Sequence, residues 1–321
     1  MNSQVKGTIA GILSASTYGC SPALALLLYA TSFDAANALF YRYLGALVLF
    51  LPFLLIKREN LLLPWRDFLK LGIPGLCFAL STLTYFISFG YMNAGISATI
   101  LFLYPVFTAV IMVLAYHEKI RPAMIFAIVL SFAGVVMLHG AEAGGLSPIG
   151  TALAVISAFT YALYIVAINR TKIIISNNKL TFYLVFFSVV TTAIYMAVSP
   201  NSAIMLPHLP EQYLYIALLA IVPTIISLHL MNISIAAIGS TATAVLGAME
   251  PVTAVALSVI IFGEHLSFSL LCGIALILLG VMIVIVGQRF KVWYEHMHTK
   301  YLNRLAATNG KKPRKRWRWK S

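Results

Sequence analysis

The chain repeats itself at a fixed offset of 146 residues, and this limits the available folds more than any other feature. Leu103-Tyr104-Pro105-Val106 returns as Met249-Glu250-Pro251-Val252. Thirteen residues after each proline stands a glutamate, Glu118 and Glu264, and twenty-nine residues after each stands a glycine-valine pair, Gly134-Val135 and Gly280-Val281. Each copy lies in a unit of five apolar stretches. An odd number of spans makes the second unit enter a membrane from the opposite side to the first. That is the construction of an inverted-repeat transporter, whose binding site is expected near the bilayer midplane.

The stretches read as spans are Gly7–Tyr29, Ala36–Ile56, Leu69–Phe89, Gly95–Tyr116, Ala123–His139, Pro148–Ile168, Leu180–Val198, Tyr213–Met231, Ser240–Phe262 and Phe268–Val286. Each is about long enough for a helix to cross ~30 Å of hydrocarbon at ~1.5 Å per residue. Composition excludes a soluble alternative. Of 321 residues 61% are apolar and 10% charged, with a mean hydropathy of +0.92, whereas a soluble domain carries about a quarter charged residues. The fold class is therefore an all-α integral membrane protein. It divides into a first five-helix repeat over 1–142, a second, inverted one over 143–287, and a basic tail over 288–321. In the second unit Tyr161-Ala162 stands where Tyr18-Gly19 stands in the first.

Charge gives the orientation. With the N-terminus in the cytoplasm, every Lys and Arg outside the spans falls on that side, and the outward loops hold none, as the positive-inside rule requires. Only Arg42 is left over, within span two. The expected location is an inner (plasma) membrane with both termini cytoplasmic. The net charge of +13 does not mark a nucleic-acid binder, because much of the excess sits in one tail, Lys311 to Lys320. That tail carries an apolar stripe at Phe290, Trp293 or Tyr294, Met297, Tyr301 and Leu305. It reads as an interfacial helix followed by a Lys/Arg/Trp terminus suited to anionic headgroups. Cys20, Cys77 and Cys272 lie in apolar runs, so neither a disulfide framework nor a metal site is supported. The first apolar run is too long for a secretory signal and reads as an uncleaved helix.

These motifs resemble the drug/metabolite transporter superfamily, specifically its ten-helix EamA-like permeases. The residues carrying the resemblance are Tyr104-Pro105-Val106 with Glu118, Ile238-Gly239-Ser240, Met249-Glu250-Pro251-Val252, Gly263-Glu264, Gly280-Val281, and Tyr41-Arg42-Tyr43 in span two. Two departures stand out: Tyr18-Gly19 replaces the common tryptophan-glycine, and His117 replaces the glycine before the first-repeat glutamate. The resemblance implies a central cavity lined by helices one, three, four, six, eight and nine. It also implies movement of small metabolites or drugs by alternating access, with exporters and importers both represented and no cofactor.

Glu250 is the sole acid near the middle of any span. A charge there costs several kcal/mol unless paired or hydrated, so it points to a cavity, where it would bind a substrate amine or carry a coupling proton. The bland alternative is a protonated acid bracing the Pro251 region. Arg42 has two open readings: it snorkels to the outer interface, or it faces the cavity and holds a substrate carboxylate with its fork. Tyr18, Tyr104 and Tyr161 near span centres, with Tyr85 toward the outer half of span three, are candidate lining groups, since a mid-bilayer phenol needs a polar partner. His229 and Asn232 near the inner end of span eight form a weaker pair. Glu118 and Glu264 read as helix-end or gate residues, and Pro74, Pro105, Pro223 and Pro251 as kinks.

A polytopic enzyme is the rival class. His117-Glu118-Lys119-Ile120-Arg121 lacks the second histidine of a zincin, and neither a GxSxG nor an acidic metal cluster occurs. No catalytic or metal-ligating set is assigned. The expectation is a permease for a small amino-acid-like metabolite, exporting, with proton coupling through Glu250. It acts as monomer or homodimer, in a secondary-active or facilitative mode, and the alternatives are efflux of cationic drugs or uptake of a metabolite.

Overall fold

The structure, a computed structural model, describes residues 3–117, 122–139, 146–171, 173, 175–199, 203–238, 243, 246–263 and 265–283. Among them every regular element is helical. Seven helical stretches are long and apolar enough to cross a membrane, and three shorter apolar helices accompany them. Four spans are interrupted. Span one is α1 (Ser3–Gly19) and α2 (Ser21–Tyr29), and span four is α5 (Ala94–Leu101) and α6 (Tyr104–Tyr116). Between these lie span two, α3 (Ala35–Ile56), and span three, α4 (Trp65–Ser88). Spans five to seven are α7 (Pro122–His139), α8 (Pro148–Thr171) and α9 (Asn177–Val198). Span eight joins α10 (Pro210–Ala220) to α11 (Ser227–Ile238) through a π-helical turn, Ile221–Ile226. Span nine turns at Gly247-Ala248 before α12 (Met249–Phe262), and span ten is α13 (Phe268–Ile283).

The sequence explains the breaks and ends. Pro22 and Pro105 stand in the first turns of α2 and α6, where the missing N–H would be unpaired in any case. Pro251 holds the corresponding first turn of α12. Pro105 and Pro251 thus start half-helices at mid-membrane instead of kinking continuous ones, which corrects the expectation for both. Pro74 lies inside an unbroken α4, and Pro223 sits in the π turn. Asp34, Asn93 and Ser176 cap α3, α5 and α9 by accepting from backbone N–H groups at 2.7–3.1 Å. His117 (φ 53°) and Gly263 (φ 66°) both close their helices in the left-handed conformation. They are equivalent under the repeat, which is why glycine suits one and strains nothing there.

The repeat is visible in the packing. Ser14 Oγ donates to the Ser227 carbonyl at 2.8 Å while Ser227 Oγ donates back to the Ser14 carbonyl at 3.0 Å. Ser81 and Ser157 do the same at 2.9 and 2.7 Å. The offsets are 143 between Ser14 and Ser157 and 146 between Ser81 and Ser227, so the two clamps are one contact made twice by an approximate two-fold. One joins α1 to α11 and the other joins α4 to α8, both extensively packed pairs. Spans five and ten meet across the same axis. A Cβ on Gly134 would lie 2.8 Å from the Gly273 carbonyl oxygen, and one on Gly280 would lie 2.8 Å from that of Ala127. Glycine at both positions lets the backbones touch.

The bundle has two recognisable ends. At the near face, α1 begins beside the end of α11, with Gly7 against Ala237. There the segment after α3 ties to the start of α9: Tyr183 Oη donates to the Leu61 carbonyl at 2.6 Å and Lys179 Nζ to that of Leu62 at 2.7 Å. At the far face the relation is reversed, with the segment after α9 tied to the start of α3. Asn37 Nδ2 donates to the Ala203 carbonyl at 2.9 Å, and the Met205 N–H donates to Asn37 Oδ1 at 2.9 Å.

Candidate functional site

Breaking spans one, four and nine at mid-bundle puts Tyr18, Tyr104 and Glu250 around one space. That space is a cavity of about 340 Å³ reaching from Glu250 and Tyr104 to Asn177 and Asn232 at the near face. One wall is aromatic. Phe78, Tyr104, Tyr161 and Tyr164 meet edge-on or tilted, with ring centroids 4.8 Å apart for Tyr104–Tyr161 and 5.4 Å for Tyr161–Tyr164. The facing wall is small and hydroxylic: Gly11, Ser14, Ser227 and Thr243. Toward the far face lie buried, hydrogen-bonded polar side chains. Asn37 and Gln212 are 0% exposed. Gln212 donates from Nε2 to the Thr31 carbonyl at 3.1 Å while its Oε1 accepts from the His208 N–H at 2.8 Å.

Glu250 sits in the first turn of α12, half-buried, with its accessible part in the cavity. The partial positive charge of a helix N-terminus favours a carboxylate there. Gly19 makes the placement possible: a Cβ at Gly19 would lie 2.5 Å from the Glu250 carbonyl oxygen, so α1 abuts the backbone that carries the acid. The repeat maps Glu250 onto Tyr104, so the same place in the other half carries a phenol.

Arg42 is 2% exposed and does not snorkel to the outer interface. Its Nη1 donates to Ser21 Oγ at 2.7 Å and its Nε to Thr224 Oγ1 at 3.1 Å. The guanidinium lies 5.4–5.8 Å from the ring centroids of Tyr18, Tyr43 and Phe86, within cation–π range. It lines the cavity along with Glu250. The two form no ion pair. Among the described residues the only ion pair is Lys70–Asp67. The cavity therefore holds a carboxyl group and a guanidinium that form no ion pair with each other.

The family model for the EamA-like transporter family matches residues 5–139 and again residues 148–286. The chain belongs to the EamA-like transporter family. Its two matches meet the two five-helix units of the drug/metabolite transporter fold, and the protein is a multi-pass membrane transporter. Members of this family are transporters, not enzymes. A crystal structure of a protein 21% identical covers 89% of this chain and 99% of its own, with a TM-score of 0.59, and supports the fold alone. No curated protein matches the chain.

Of the residues singled out in the sequence, the EamA-like fold brings Glu250, Arg42, Tyr18, Tyr104, Tyr161 and Asn232 to the one cavity. It does not bring Tyr85 there. Tyr85 is 3% exposed and packs edge-on to Phe89 at 4.6 Å, behind the wall. His229 is exposed and lines a separate groove on the flank of the bundle. Glu118, Glu264 and the tail lie outside the described residues. The cavity also uses groups that sequence reading passed over. Tyr164 sits three residues from Tyr161 and so shares its helix face, a signal that was available. Thr224 offered none, because what makes it a partner of Arg42 is the π turn.

Proposed function

We propose that this transporter moves a small amino-acid-like zwitterion by alternating access, with Glu250 receiving the ammonium group and Arg42 the carboxylate. The observation that supports this reading is a carboxyl and a guanidinium lining one cavity with no ion pair between them. A buried charge left without its counter-ion is costly, and a zwitterion supplies both counter-ions at once. Arg42 is already oriented by Ser21 and Thr224, so its remaining N–H donors are presented in a fixed fork. The open near face is assigned to the cytoplasm from its Lys and Arg residues. The molecule is then in its inward-open state, the loading state of an exporter. Glu250 is the group able to accept a proton when the cargo's ammonium leaves, which supplies a means of coupling. Small amino-acid-like molecules suit the volume of about 340 Å³.

One observation favours a second reading, efflux of lipophilic cations. The accessible carboxylate faces a wall of Phe78, Tyr104, Tyr161 and Tyr164, a surface that attracts organic cations, while Arg42 offers little exposed area. Counterflow in proteoliposomes with labelled amino acids and with cationic dyes separates the two. The zwitterion reading expects amino-acid exchange that Glu250→Gln abolishes or strips of its pH dependence. Unchanged exchange and pH profile in Glu250→Gln, or exchange confined to dyes, would refute it.

A further inference from the structure

A groove on the flank of the bundle, distinct from the cavity, has a volume of about 390 Å³. It arises because α3 packs on α10 and on the π turn but opens away from α11 below them. Its walls are Leu47, Leu49, Phe50 and Phe53 from α3, Phe182 and Val185 from α9, and Ile225 and Leu228 from span eight. Leu49 is 48% exposed, and in a spanning helix that exposure is to hydrocarbon. The near-face end of the groove is polar, with Asn178, His229 and Asn232. Just beyond it Lys57 Nζ stands 4.6 Å from the ring of Phe53, which itself lines the groove. Thr181, Val185, Thr224, Leu228 and Asn232 line both groove and cavity, so the two spaces adjoin.

We propose that this groove is a binding site for a near-leaflet anionic phospholipid, its phosphate on Lys57 and one acyl chain between Phe50, Phe53 and Leu228. The apolar walls at membrane depth call for an alkyl chain, and the polar rim with a lysine selects an acidic headgroup. The chain supplies the wall that α11 leaves open. Its end abuts Thr224, the residue that holds the Nε of Arg42. The lipid therefore completes the cavity and steadies the cation inside it. This assignment concerns a site outside the cavity and holds whichever cargo the cavity takes.

The test uses the full chain in detergent, titrated with phosphatidylglycerol or phosphatidylcholine, with bound lipid counted by native mass spectrometry and melting followed in parallel. Phosphatidylglycerol is expected to bind with saturation and raise the melting temperature, and phosphatidylcholine to bind more weakly. Lys57→Ala should weaken phosphatidylglycerol binding about five-fold, the loss of one basic contact near a membrane surface. Leu49→Trp and, separately, Ile225→Trp should displace the chain, so that the failure of one variant to fold leaves the other as a test. Lys70→Ala removes a near-face lysine paired to Asp67 and should change nothing. An equal loss in Lys70→Ala would show general surface attraction and overturn the site, as would equal binding of both lipids. Tryptophan fillers that leave lipid binding intact and slow only dye uptake would make the groove a cargo route, and the lipid assignment would fall.

Discussion

The two serine clamps allow the internal symmetry to be measured as energy. Ser14→Ala removes one interhelical donor, the 2.8 Å bond to the Ser227 carbonyl, and leaves the reciprocal 3.0 Å bond in place. The carbonyl released stays in its own helix ladder, and losing one oxygen opens no sizeable cavity. The cost is then that of one interhelical hydrogen bond in a membrane, about 0.6 kcal/mol and at most ~1.7. Ser14→Ala with Ser227→Ala should cost about 1.2 kcal/mol, and Ser81→Ala with Ser157→Ala should cost the same, because the contacts are repeats of each other. The pairs lie in different helix couples and share no partner, so all four together should add to about 2.4 kcal/mol. Reversible unfolding in bicelles reads each value. Cargo affinity in Ser81→Ala with Ser157→Ala should stay within about two-fold, because that clamp holds α4 to α8 as a unit and its serines are not among the cavity lining, whereas Ser14 and Ser227 line the cavity. If one pair costs the expected amount and the other nothing, the packing is not energetically symmetric. If the Ser81–Ser157 pair abolishes binding with little loss of stability, that clamp belongs to the site and the rigid-unit argument fails.

Three further outcomes follow from single contacts. Arg42→Lys keeps the charge but cannot reach Ser21 and Thr224 with a fork, so the KM for cargo should rise roughly ten-fold or more, the value of one charge-assisted bond; unchanged KM would remove Arg42 from cargo recognition. Asn37→Ala deletes the bonds to Ala203 and Met205 that hold the far face shut. Cysteine labelling in the cavity from the far side should increase several-fold, and labelling at the wild-type rate would show that the closure lies elsewhere. His117→Gly relieves a left-handed position of its side chain and should stabilise the protein by about 1 kcal/mol, an expectation that a lower unfolding midpoint would contradict.

What the sequence disclosed and what it withheld divide along physical lines. Hydrophobic length placed the spans because lipid demands it of every crossing helix, and span eight ran past its expected end at Met231 only because α11 continues to Ile238. Glu250 stood out because an acid in an apolar run has few explanations. Proline was misread: Pro105 and Pro251 signal a fresh helix start, since the break one turn earlier is what makes them tolerable. Tyr85 and His229 were misplaced because a residue's depth can be counted along the chain, whereas the direction it faces depends on helix rotation. The serine clamps were invisible for a related reason. Serine is common in such helices, and only the partner across the interface distinguishes a clamp from a side chain bonded to its own turn, as Thr17 and Thr160 are.

The symmetry of the scaffold and the asymmetry of its charges do different work. Ser14 and Ser157, Gly134 and Gly280, and the ties of α3 and α9 to each other's following segments are all exchanged by the two-fold. On the alternating-access proposal, two halves that differ in conformation would swap roles, and the swap would carry the opening from the near face to the far one. The ionisable groups do not follow this rule. Glu250 maps onto Tyr104, and the position of Arg42 maps onto the uncharged stretch Val185 to Ser188 of span seven. Charge repeated by symmetry would build two equivalent sites, and a cargo centred between them would gain nothing from orientation. Under the zwitterion proposal, a single carboxyl on span nine and a single guanidinium on span two would instead fix one direction of the cargo in both states. The repeat therefore accounts for movement, and selectivity has to reside in the few positions where the repeat is broken.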